Sequence, residues 1–546
     1  MSRGIAQPQN VIFWGAGATR ALGIRVTADQ EHFIRCITAQ NRGISLKERI
    51  REALGSSIAK RWHDALYDLI TILGDDEESY SSISNITRAQ LESMRRNWQK
   101  SASSEELRQR IIDLRLTYDW PALKSVASIC PGGATGKFRL NDLFNLLDMH
   151  ILPGFGFRAP SQHRTKNQLP QFFDARRLIG AKNSLLVVLI ASFYIDYQVC
   201  IASKQKEVRQ YYEFIKQLGL RMQRQGLTLY RKGLDKPAFY QGDLGFVSLN
   251  YDPILLWFQF LANRKLNKSK KVPRIGTGIP LHLFHDFGHL IPARRIGRGD
   301  DDWPWYPLNE GAAQRLNELK KGDQRVRLTK FLFPHGCLCW RECPDCGKLS
   351  AYHGDKWSLS SSGLFPPPPL RAFDTAPLPK RITGNEREQR RRGKVDARKC
   401  LHCGTLTYAN HTQVVMQSSF KPRPPSFIEE IQRDLRATTM QASHIIFMGY
   451  SLPQDDVTYR AFFSARRQRH GVQVRCTVVS KDDRNPDWYG PAELKARRLS
   501  NSFHDSSPVI AAGDIFGEDN VRFYGGGIPN VFLHGIDKLL TWSPNP

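Results

Sequence analysis

The stretch Pro334–Gly347, PHGCLCWRECPDCG, places one histidine and four cysteines within a few residues of each other. Cys343-Pro-Asp-Cys346-Gly has a counterpart in Cys400-Leu-His-Cys403-Gly, so the chain holds two C-x-x-C knuckles that each end in glycine. Thiolates at this spacing can share one tetrahedral zinc, the glycine supplying the tight turn. The long intervening segment is no obstacle, because the cost of closing a loop grows only logarithmically with its length. Cys337 and Cys339 compete for the metal but lack the spacing, which leaves them as buried thiols or pocket lining. His335 sits where the apolar run TKFLFPHG ends, and an imidazole there can serve as a general base. A lone histidine is more often structural than catalytic, but its place between a strand end and a zinc module, facing a nucleotide turn, favours the catalytic reading.

Two further turns carry candidate chemistry. In GAGAT, Gly15 and Gly17 would let the backbone approach a pyrophosphate, with a following helix offering its positive N-terminus. The third glycine of a dinucleotide fingerprint is missing, and a tight turn without a ligand is the alternative. In SLNYDP, the Asn250 carboxamide could bond a sugar hydroxyl or position a water that Asp252 orients. Both side chains are also good helix caps.

Such turns need strands beneath them. Val11–Trp14 precedes GAGAT, Phe246–Leu249 precedes NYD, Ile445–Met448 precedes GYSLPQDD, and Val474–Val479 precedes SKDD. Ligands of open parallel sheets bind beyond the carboxyl ends of the strands, so four polar turns at four such ends are the expected layout of a nucleotide site. Apolar spacing by three and four makes residues 25–240 a mainly helical segment, and from 241 onward short strands alternate with helices. The fold class read from this is α/β, with a discontinuous catalytic unit (1–24 and 241–546), a helical insertion (25–240) and a zinc module (337–410).

The totals frame this reading. Apolar residues make up 41% of the 546 and charged residues 24%, enough for a packed core. The start MSRGIAQPQN has no secretory pattern, and the apolar run Leu185–Ile195 is too short to span a bilayer and reads as a buried helix. A cytoplasmic protein without membrane contact is expected. The net charge of +27 favours phosphate-rich partners such as nucleic acid, although the basic runs Asn263–Arg274 and Arg381–Lys399 also read as solvated loops. A homo-oligomer or a partner protein docked on a basic surface is left open.

Taken in order, the motifs resemble those of the sirtuin (silent-information-regulator) family: Gly15-Ala16-Gly17-Ala18-Thr19, Asn250-Tyr251-Asp252, His335-Gly336, the two knuckles, Gly449-Tyr450-Ser451-Leu452 and Ser480-Lys481-Asp482. The match covers residues 10–24 and 241–485. It implies a Rossmann-like sheet that binds NAD in a cleft, with structural zinc beside it. Asn250 would contact the ribose or position a water as nicotinamide leaves, and His335 would act as base. Gly15, Ala16, Gly17, Thr19, Gly449 and Ser451 would hold the phosphates, with Ser480 near the adenosine ribose. Where sirtuin deacylases continue with P-D-F-R this chain reads IRVTA, and where their peptide-binding F-G-E segment lies it reads VVMQSSFKPRPP. These departures, with Tyr450, resemble instead the divergent sirtuin-like NAD hydrolases of bacterial antiphage defence. An NAD glycohydrolase is the leading expectation. A deacylase or ADP-ribosyltransferase, and a nucleotide-sensing or nucleic-acid-docking subunit of a defence complex, are the alternatives.

Overall fold

The computed structural model describes residues 8–39, 43–74, 118–154, 156–159, 171–232, 240–256, 258–259, 262, 266, 274–275, 279–286, 325–338, 340–342, 349–351, 398–399, 406–407, 414–415, 424, 426–454, 456–469, 474–500, 503 and 507–546. The strands in chain order are β1 (Asn10–Trp14), β2 (Phe157–Ala159), β3 (Gln171–Phe173), β4 (Tyr240–Ser248), β5 (Arg274–Ile275), β6 (Ile279–Asp286), β7 (Arg325–Leu332), β8 (Trp340–Glu342), β9 (Leu349–Ala351), β10 (Arg398–Lys399), β11 (Leu406–Thr407), β12 (His444–Met448), β13 (Arg475–Val479), β14 (Trp488–Tyr489) and β15 (Val521–Tyr524).

One sheet organises the chain, in the order β14-β15-β13-β12-β1-β4-β7-β6-β5. Its seven inner strands run parallel, and β14 and β5 close the edges antiparallel. Parallel strands are covered on both faces, so they read as unbroken apolar runs rather than as alternation. VIFW in β1 and HIIFM in β12 are of this kind and are buried throughout. β1 lies at the centre, Val11 registering with Ile445 on one side and Gly245 on the other. The sheet is α/β and mainly parallel, as expected. All four expected strands form, three of them beginning or ending within a residue of the expected limits and β4 starting earlier.

The first helices are α1 (Thr27–Thr38), α2 (Leu46–Leu54), α3 (Lys60–Leu73), α4 (Trp120–Ile129), α5 (Leu140–Ile151), α6 (Ala175–Ser203) and α7 (Gln205–Arg231). Their starts follow local chemistry: Ser45 and Glu48 form a reciprocal capping box on α2, and the Asp119 and Asp174 carboxylates accept N–H bonds at the heads of α4 and α6. The apolar run Leu185–Ile195 belongs to α6, which is 29 residues long. Its first 26 residues, Ala175–Cys200, are long and apolar enough to cross a membrane, which the run alone is not; 78% of the most apolar window is buried inside the protein. Packing against α3, α4 and α5 explains an apolar surface on most sides of this helix.

The remaining helices are α8 (Ser426–Gln441), α9 (Val457–Arg469), α10 (Pro491–Leu499), α11 (Pro508–Phe516) and α12 (Ile536–Leu540). Successive strand residues face opposite sides of a sheet, so neighbours in β1 report both layers. Phe13 meets Phe447 of β12 and Phe463 of α9, with ring centroids 5.6 and 5.1 Å away. Trp14 instead meets Tyr211 of α7, edge to face at 6.0 Å. Helix α7 also packs on β4, β6 and β7. The helical segment therefore supplies one of the two layers that cover the sheet.

The knuckle residues Cys343, Cys346, Cys400 and Cys403 lie outside the described residues, as do Cys339 and the proline-rich stretch 360–393. The basic runs lie outside them too, apart from Leu266, Arg274, Arg398 and Lys399.

Candidate functional site

The order of the parallel strands creates a switch point. From β1 the chain moves outward to β4, β6 and β7 on one side, then returns to β12 on the other. The crevice beyond the carboxyl ends of β1 and β12 is where such sheets bind ligands. The Gly15–Thr19 turn and the Gly449–Leu452 turn both lie there.

The two turns interlock through their backbones. Gly15 N–H donates to the Met448 carbonyl and Gly17 N–H to the Gly449 carbonyl, both at 2.9 Å. Gly449 has a φ of +61°, and a Cβ built on it would lie 2.1 Å from the Ala18 nitrogen. Only glycine fits such an approach. No α-helix follows GAGAT directly, contrary to expectation: Ala16–Ala18 and Arg20–Leu22 form two short 3-10 turns, Gly23 stops them at φ +80°, and α1 begins at Thr27. Gly17 is exposed and Ala16 half-buried, whereas Thr19 is buried, its hydroxyl donating to the Ala16 carbonyl.

Asn250 and Asp252 stand just past β4. The Asn250 Nδ2 donates to the Gly15 carbonyl at 3.1 Å, joining the N-x-D turn to the glycine turn. Asp252 Oδ1 accepts the Ile254 N–H at 3.0 Å, so the capping role read from sequence is present. Burial pushes the Asp252 carboxyl up to about 6, against hydrogen bonds from Ile254 N–H and from the Asn250 and Thr19 side chains that favour the charged form.

His335 lies three residues past β7 and is buried. Its Nδ1 is 3.3 Å from the Leu249 carbonyl, and its Nε2 is 2.9 Å from the Tyr459 hydroxyl. A carbonyl can only accept, so Nδ1 carries the proton and Nε2 presents its lone pair. The Tyr459 phenol is held well above its usual range by burial first, then by Asp456 and Tyr251, so it stays protonated and donates to Nε2. Around this pair, Val415 N–H donates to the His335 carbonyl at 2.8 Å and the Tyr251 hydroxyl donates to the Val415 carbonyl at 3.0 Å. Cys337, two residues on from the histidine, is fully buried.

On the far side of the crevice, Ser451 is exposed and Ser480 half-buried at the end of β13. The Tyr450 hydroxyl donates to Asp456, clasping the ends of the turn, while Leu452 takes a φ of +51°, an unfavourable value for a leucine. The sequence-predicted residues thus fall into three groups. Asn250 and Asp252 are tied to the glycine turn, His335 is bonded to the segment just before Asn250, and Gly449, Ser451 and Ser480 occupy the ends of β12 and β13.

Two participants had no signature in the sequence. Tyr459 lies in VTYRAFFSARRQR, an ordinary amphipathic helix, and nothing there marks it as the partner of a histidine 124 positions earlier. Tyr211 of α7 reaches the opposite wall, where its hydroxyl donates to the Ala18 carbonyl. No family model matches the sequence, and no curated protein matches it either.

Proposed function

We propose that the protein is a sirtuin-like NAD glycohydrolase, in which water takes the nicotinamide–ribose bond to give ADP-ribose, nicotinamide and a proton. The observation that carries this reading is the Asn250–Gly15 contact. It brings a carboxamide suited to ordering a ribose hydroxyl or a water against the turn suited to a pyrophosphate, at the switch point where α/β sheets bind nucleotides. His335 adds a ring nitrogen, Nε2, that carries a lone pair rather than a proton, the form a general base needs. In this reading Asn250 positions the attacking water, Asp252 holds Asn250 and Thr19, and His335 accepts a proton. Gly15, Ala16, Gly17, Thr19, Gly449 and Ser451 line the phosphate path, with Ser480 toward the adenosine. Zinc at Cys343, Cys346, Cys400 and Cys403 belongs to the same reading as a structural module.

Asn250 and His335 are nearly inaccessible, and Tyr459 occupies the lone pair of Nε2. Substrate must displace that hydroxyl, so turnover is expected to be low until a trigger opens the crevice. The test is nicotinamide release from NAD by the full chain, with and without added DNA or RNA. Asn250→Ala and His335→Ala should each lower it by about 10²-fold or more while the fold persists. Release that survives Asn250→Ala, or none under any trigger, overturns the proposal; formation of O-acyl-ADP-ribose from an acyl-peptide would replace it with a deacylase.

A further inference from the structure

Three potential metal ligands that the crevice does not use meet on the hairpin of α1 and α2. His32 and Cys36 lie one turn apart on α1, and Glu52 comes from α2. Their ligand atoms all fall within 4.8 Å of one another. Cys36 is the hub, its sulfur 3.6 Å from His32 Nε2 and within 4.8 Å of a Glu52 carboxylate oxygen. The thiol has a single proton to share between these neighbours, and the imidazole meets the sulfur as donor or acceptor according to its tautomer. A cation in place of that proton satisfies all three groups at once.

The spacing suits that cation. Zinc lies about 2.3 Å from sulfur and about 2.0–2.1 Å from nitrogen, so tetrahedral angles set the two ligands about 3.6 Å apart. The Cys36–His32 separation has this value. Glu52 and His32 are exposed, so their side chains can close the remaining distance, and Cys36 anchors the site from the buried side. One thiolate, one imidazole and one carboxylate form a mixed set suited to a borderline divalent ion, and magnesium or calcium would not choose sulfur. We propose that His32, Cys36 and Glu52 bind one zinc-class cation that clips α1 to α2, with a fourth position open to solvent. The site is independent of the glycohydrolase reading and of the two knuckles.

The test uses the full chain stripped with chelator and titrated with Co(II), followed by thiolate-to-cobalt absorption and by the metal bound per chain. Cys36→Ser and His32→Ala should each bind one equivalent fewer than the wild type, whatever the wild-type total. Cys343→Ser should leave the Cys36 equivalent in place. His32 is exposed, so its alanine variant tests the site without disturbing the core. Equal stoichiometry in wild type and Cys36→Ser, or no change with His32→Ala, would overturn the proposal.

Discussion

Replacing Gly449 by alanine probes the interlock that shapes the crevice. Two terms follow from the geometry. A residue with a Cβ at φ +61° costs about 1–2 kcal/mol in the left-handed region. The new Cβ would also lie 2.1 Å from the Ala18 nitrogen and 2.4 Å from the Gly17 carbonyl carbon, so the two turns must separate by roughly an ångström to reach van der Waals contact. Separation breaks the Gly17–Gly449 and Gly15–Met448 bonds, at about 1 kcal/mol each. The sum is about 3–4 kcal/mol. Gly23 is the internal control, because it has φ +80° but nothing within 4 Å of a built Cβ, so Gly23→Ala should cost only the first term, about 1–2 kcal/mol. Urea unfolding of both variants measures the difference, and nicotinamide release measures its effect at the site. If Gly449→Ala proves no costlier than Gly23→Ala, the steric argument fails; if it also keeps full turnover, the turns do not define the site.

Two other outcomes follow. The Asp252 carboxyl titrates near 6 rather than near its usual 3.8, so turnover should fall as pH drops through about 6, and Asp252→Asn should lose that acid limb. The sign for stability is opposite: the folded chain binds this proton more tightly, so acidification from pH 7 to 5 should stabilise the wild type relative to Asp252→Asn by about 1 kcal/mol, read from urea midpoints at each pH. Tyr459→Phe should cost about 1–3 kcal/mol by leaving buried Nε2 without its donor, yet raise basal NAD turnover because substrate no longer competes for that lone pair. A drop in turnover at unchanged stability would instead make the Tyr459 hydroxyl part of the chemistry.

The central strands were legible because burial on both faces leaves an apolar run that a polar turn must end, as in VIFW before GAGAT and HIIFM before GYS. The turns at their ends were legible for the same reason, since function on an α/β sheet gathers there. β15 was not, because Arg522 interrupts VRFY. That arginine is buried and satisfied by the Thr477 hydroxyl and by the carbonyls of Lys538, Leu539 and Thr541, partners that only the folded chain assembles. Burial also lowers the guanidinium to about 10, the cost that those acceptors offset. β6, IPLHLFHD, escaped because histidines and a proline break its apolar run. Tyr211 and Tyr459 could not be assigned to the site because their roles depend on long-range packing, and their local patterns are those of ordinary helices.

The position of β1 has a consequence for how the protein is made. Val11 pairs with Gly245 and Ile445, so the middle strand of the sheet is synthesised first and its two neighbours far later. At about 5–20 residues per second on the ribosome, roughly 20–90 s separate the emergence of Val11 from that of Ile445. During that interval VIFW is an apolar β segment with both edges open, the kind of sequence that pairs with other chains. The helices of residues 27–231 emerge next and can hold it against α7 through Trp14 and Tyr211 before either strand arrives. The helical segment then acts as a folding scaffold that the nascent chain carries within itself.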